Sequence, residues 1–140
     1  MGTGLPFITA HPLLNLDLKA GGDHTCVLAR YHDPAFPNVS AIQCWGDNTF
    51  GQLGTGDRAL RGDAPGHDPV DVPFAGTQAS GAPRSVVRIA VGAYHTCALL
   101  ENAVLNCWGY NGNGELGLGD TRNQGGVRAD LGDGMRPVDL

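Results

Sequence analysis

This 140-residue chain is poor in charge, in aromatic side chains and above all in lysine. Charged residues make up 16% of it and aromatics 6%, and Lys19 is the single lysine beside eight scattered arginines. The net charge is −5. A nucleic-acid interface needs a basic face, because neutralising phosphates and releasing their counterions supplies much of the affinity. The charge balance excludes that class of partner. Long apolar runs are also missing: none approaches the ~20 residues that cross a bilayer as a helix, so no membrane span is expected. The segment Met1-Gly2-Thr3-Gly4-Leu5-Pro6-Phe7 has neither the basic n-region nor the apolar stretch of a secretion signal. The chain reads as soluble as written, which is also what a processed, secreted piece would show. Core builders are sparse as well. Leu, Ile, Val and Phe amount to 32 of the 140 residues, a little above the ~20% below which disorder becomes the default.

Glycine and proline are abundant instead, with 22 and 9 residues. Such a chain, with many short apolar runs, reads as turn-rich β structure. It also repeats itself. His24-Thr25-Cys26-Val27-Leu28 returns as His95-Thr96-Cys97-Ala98-Leu99, and Pro69-Val70-Asp71-Val72 as Pro137-Val138-Asp139-Leu140. The fourteen residues from Cys44-Trp45-Gly46 to Gly56-Asp57 return from Cys107-Trp108-Gly109 to Gly119-Asp120 with nine identities. Leu5-Pro6-Phe7 pairs with Val72-Pro73-Phe74. Offsets that change along the chain mean one unit with loops of unequal length. The units run over residues 1–71, with a short lead at 1–4, and 72–140.

In each unit an apolar segment before the first cysteine predicts a strand: Leu14-Asn15-Leu16-Asp17-Leu18 and Val86-Val87-Arg88-Ile89-Ala90-Val91. His-Thr-Cys-x-Leu predicts a second, the run into Cys-Trp-Gly a third, and Pro-Val-Asp a short fourth. Four short strands per unit are the composition of a propeller blade. The pattern Gly-x-x-His-Thr-Cys-x-Leu, then Cys-Trp-Gly-x-Asn-x-x-Gly-[Gln/Glu]-Leu-Gly-x-Gly-Asp, resembles the repeat of the regulator of chromosome condensation (RCC-type) family, in a cysteine-bearing form like copies in bacterial surface and secreted proteins. The resemblance implies an all-β fold of two four-stranded propeller-type blades, an incomplete ring or a repeat array, since the family's rings usually hold seven blades. It implies a binding scaffold.

The residues themselves suggest roles. Gly46, Gly51, Gly54, Gly109, Gly114 and Gly117, with Gly56 and Gly119, suit turns that need positive φ or close backbone approach. Leu53 and Leu116 read as plugs of that glycine loop. Trp45 and Trp108 are expected to pack between blades, with ligand stacking as the alternative. His24 and His95 read as structural side chains that bond the glycine loop. Cys26, Cys44, Cys97 and Cys107 flank a predicted hairpin in each unit, so Cys26–Cys44 and Cys97–Cys107 are the expected disulfides. Metal binding through His24, Cys26 and Cys44, and through His95, Cys97 and Cys107, is the rival reading, without the usual C-x2–4-C or H-x3–5-H spacing. Asp47-x-Thr49-x-Gly51 falls short of a calcium loop. Arg61-Gly62-Asp63 is an integrin-type triplet, and Asn38-Val39-Ser40 meets the glycosylation pattern.

No catalytic set stands out from the repeat, and no cofactor is expected. The chain reads as a non-catalytic protein, extracellular or at the cell surface if the cysteines pair. Its repeats would self-assemble head to tail into a filament or ring, or belong to a longer scaffold. Family relatives also suggest a GTPase-exchange type of signalling module or an inhibitor. A light sensor is disfavoured, because Asp23 and Tyr94 stand beside the histidines where that branch carries tryptophan.

Overall fold

The computed structural model of the protein describes residues 16–30, 35, 39–74, 76, 81 and 83–140. Two three-stranded antiparallel sheets follow one another along the chain. The first holds β1 (Leu16–Ala20), β2 (His24–Arg30) and β3 (Ser40–Gly46); the second holds β4 (Val86–Val91), β5 (His95–Leu100) and β6 (Leu105–Gly109). The fold is all-β, with a single turn of 3-10 helix at Arg128–Asp130. Turn chemistry sets the strand order. Gly21 and Gly92 close the first hairpin of each unit, each donating its N–H to the carbonyl of the histidine that opens the next strand, at 2.8 and 2.9 Å. Ala103 takes a positive φ of 65° in the tight link between β5 and β6, a conformation unusual for a residue with a Cβ.

Register follows from these turns. In both units the histidine of the central strand faces the glycine of Cys-Trp-Gly, and the two cysteines lie directly opposite, Cys26 with Cys44 and Cys97 with Cys107. The expected fourth strand is present in reduced form. Asp71 makes one bridge to Gln43 and Pro137 one bridge to Asn106, both at the outer edge of the third strand. The Val72 and Val138 N–H groups then donate to the Ile42 and Leu105 carbonyls at 3.0 and 2.8 Å. Proline starts each of these segments and has no N–H for a ladder, which limits the pairing to a bridge. The core joins both sheets: Ile42, Leu53, Val72, Val86, Ile89, Leu100, Trp108 and Leu116 are buried.

Candidate functional site: the junction between the units

The two units meet through a short relay of hydrogen bonds. The Gln52 carbonyl, in the glycine loop after β3, accepts from the Thr96 hydroxyl at 2.8 Å and from the Trp108 indole N–H at 2.9 Å. The single Thr96 proton is thereby used, so Thr96 Oγ1 is the acceptor of its contact with His24 Nε2 at 2.9 Å. His24 is therefore the Nε2–H tautomer. Burial, then the nearby His95, lowers its pKa from the ordinary 6.5, against the opposing pull of Asp47 and Asp23. Its Nδ1 is buried without a partner among the described residues. A neutral ring tolerates that better than a charged one would.

The loop that presents the Gln52 carbonyl is wound around Asn48. Its amide Nδ2 donates to the Asp57 and Ala59 carbonyls and to Thr55 and Asp57 side-chain oxygens, and its Oδ1 accepts from Leu53 N–H at 3.0 Å. Asn111 does the same in the second unit, with Asp120, Arg122 and Leu116. Gly51 and Gly54 hold φ of 78° and 68°, and the neighbouring unit fills the space beside them. A Cβ on Gly54 would lie 2.8 Å from Trp108 Nε1, and one on Gly51 would strike the Gly126 backbone nitrogen. Two inter-unit backbone bonds, Gly22 N–H to Ala93 and Gly56 N–H to Gly125, both 3.1 Å, frame the contact. Over one end Phe50 of the first unit sits edge-on to Tyr94 and Tyr110 of the second, ring centres 5.5 and 5.0 Å away.

The same positions in the opposite copies face outward. Among the described residues a Cβ at Gly114 or Gly119 would meet nothing within 4 Å, and at Gly117 it would meet Val138 of the same unit and no tryptophan. Trp108 is fully buried, whereas Trp45 is half-buried and its indole N–H has no acceptor among the described residues. Thr96 is buried and Thr25 is half-exposed. His24 is buried and His95 is half-exposed. The second unit thus presents an open copy of the face that the first unit uses at the junction. The first unit presents the complementary one.

Comparison with known proteins bears on what such units are. The family model of the regulator of chromosome condensation (RCC1) repeat matches residues 43–99, and a second RCC1 repeat model matches 86–115. The chain belongs to the RCC1 repeat family. The probable E3 ubiquitin-protein ligase HERC4 of Homo sapiens is 29% identical over 67% of the chain and 8% of its own length. The ultraviolet-B receptor UVR8 of Arabidopsis thaliana is 32% identical over 64% of the chain and 18% of its own. Among solved structures, human WBSCR16 superposes with a TM-score of 0.57 at 20% identity, covering 91% of this chain and 25% of that one. Yeast RCC1 (Prp20), crystallised with Kap60, gives 0.56 at 22%, covering 97% and 25%. The RCC1-type chain thus spans less than a fifth of these curated relatives and a quarter of the solved structures. Each unit is a propeller-type blade, and two such blades fall short of a ring.

The structure places the residues singled out in the sequence as follows. Cys26 bonds Cys44 and Cys97 bonds Cys107, which leaves no thiolate to ligate a metal. Among the described residues no group of three His, Cys, Asp or Glu is gathered as a metal site. The Asp47 carboxylate accepts from the Thr49 hydroxyl and from Gln52 Nε2 at 2.7 and 2.9 Å, so its loop is closed by neutral donors. Leu53 and Leu116 are buried beneath their loops. Gly46 and Gly109, at φ of 108° and 109°, pack against the residue pairs 23–24 and 94–95. The triplet Arg61-Gly62-Asp63 is tied down at both ends, Arg61 by Asp57 at 2.8 Å and Asp63 by His67 at 2.7 Å. Asn38 lies outside the described residues. Asn48, Asn111 and the Gln52 carbonyl escaped the sequence reading. The asparagines had a signal, since both copies carry one at the same place in Gly-x-Asn-x-x-Gly. A backbone carbonyl has none.

Proposed function

We propose that this RCC1-type chain is a non-catalytic interaction module whose two outer blade faces each receive a further unit of the same kind, in a filament, in a ring or within a larger scaffold. The observation that carries the reading is the unequal burial of identical positions. Gly51, Gly54 and Trp108 are buried at the junction, while among the described residues Gly114 and Gly117 stay exposed and Trp45 is only half-buried. Exposed blade edges invite pairing, and a heterologous contact that repeats gives rings or fibres according to its rotation. What the chain shares with its relatives is the repeat itself, so binding is the role most naturally held in common, and the ligase or photoreceptor activity named for a relative is not carried over. The two disulfides favour an oxidising, extracellular or cell-surface setting.

Sedimentation equilibrium from micromolar to millimolar protein, with tryptophan emission read alongside, tests this. Association that shifts emission to the blue, and that Trp45→Phe leaves unshifted, is the expected result. A mass that stays monomeric with constant emission over the whole range contradicts it.

A further inference from the structure

We propose that the open face of the first blade is built for a neighbouring blade that carries lysine or arginine at the position held by Phe50, so a second copy of this chain is not its best-fitting partner. The inference rests on the stacking reading above. It follows from three positions that the internal junction defines. In the second blade Tyr110 N–H donates to the Tyr94 carbonyl at 2.9 Å, and in the first Asp47 N–H donates to the Asp23 carbonyl at 2.9 Å. Asp23 and Asp47 therefore stand where Tyr94 and Tyr110 stand. Likewise Phe50 N–H donates to Gln52 Oε1 at 2.9 Å and Asn113 N–H to Glu115 Oε2 at 2.8 Å, which makes Asn113 the counterpart of Phe50.

At the internal junction an aromatic residue of the leading blade covers two tyrosines of the trailing one. At the open face the arriving residue meets two aspartates. Asp23 is exposed, Asp47 is held by the neutral donors Thr49 and Gln52, and neither has a cationic partner among the described residues. His24, beside them, is neutral as the Nε2–H tautomer. A phenyl ring arriving here would strip water from carboxylates and return nothing. A guanidinium would reach both with charge-assisted bonds. A second copy brings Asn113, an uncharged amide, and on the same loop Glu115, another carboxylate. Its glycine face and the Trp45 contact still fit, so copies stack weakly through a junction that lacks its cation.

The test compares association of the full chain as wild type, Asn113→Arg, Asn113→Glu and the triple variant Asp23→Tyr/Asp47→Tyr/Asn113→Phe, which transplants the internal aromatic contact to the ends. Asn113 is exposed and the bond it makes through its backbone survives substitution, so the arginine variant is expected to fold. Sedimentation equilibrium at low salt is expected to give Asn113→Arg a dissociation constant at least ~10-fold below wild type, an advantage that salt reduces. Adding Asp23→Asn/Asp47→Asn to it removes the gain, and Asn113→Glu binds more weakly than wild type. Equal association of the arginine, glutamate and wild-type chains, with a triple variant that associates strongly, overturns the cation preference and leaves stacking intact. A triple variant that also fails to associate overturns the stacking reading and this inference with it.

Discussion

At the scale of single residues the junction depends on one backbone carbonyl that takes two side-chain donors from the next blade. Thr96→Val removes one of them and leaves the buried His24 Nε2–H without an acceptor. An unfolding free energy lower by about 1–3 kcal/mol, read from denaturant unfolding, is the expected cost, whereas Thr25→Val, at the half-exposed equivalent, should change stability by less than about 0.5 kcal/mol. Asn48→Ala strands the Leu53 N–H together with two carbonyls and should cost about 3 kcal/mol by the same measurement. His24 adds a pH dependence. Its folded pKa lies below 6.5, so the unfolded chain binds the extra proton first as pH falls. Stability is therefore full above 6.5 and declines below it. Melting temperatures should fall with acidification in that window, and His24→Gln should flatten the slope there. The histidines, tryptophans and cysteines were legible in the sequence because two copies repeat them. What a side chain bonds across a junction was not, since the partner of His24 lies 72 residues away.

At the scale of elements, strands and hairpins were legible from apolar runs and glycine turns, and the cysteine pairing from their position on either side of a hairpin. The fourth strand is present only as a bridge in each unit. Pro-Val-Asp looks like a strand, but a leading proline and a single bridge are what the chain supplies. The two disulfides close loops of comparable size, so removing either should destabilise by roughly 3 kcal/mol on the chain-entropy estimate. Their accessibility differs. Cys26 and Cys44 are fully buried under the second blade, while Cys97 is half-exposed on the open face. Limited reduction followed by alkylation and mass spectrometry should label Cys97 and Cys107 first. The glycine loops make a second matched pair. Gly51 and Gly114 share a φ of 78°, so alanine strains both backbones equally, yet at Gly51 it also collides with Gly126. Gly51→Ala should therefore lower the melting temperature clearly more than Gly114→Ala. Equal effects would mean that the inter-blade approach is looser than described.

At the scale of the whole molecule, two blades of a repeat fold bury one junction and, among the described residues, leave two halves of another open. Stability in such arrays is nearly a sum of unit and neighbour terms, so a blade without its neighbour lacks part of its own. A lean core rich in glycine is completed by the contact between units, where the buried Trp108 packs over Gly54. The most direct measurement joins two copies of the chain in tandem and follows hydrogen exchange of the four indole N–H groups by NMR. If the open faces repeat the internal junction, the Trp45 of the downstream copy becomes as protected as Trp108. Three indoles then exchange slowly and one fast. Two fast indoles, unchanged from the separate chains, would contradict the account.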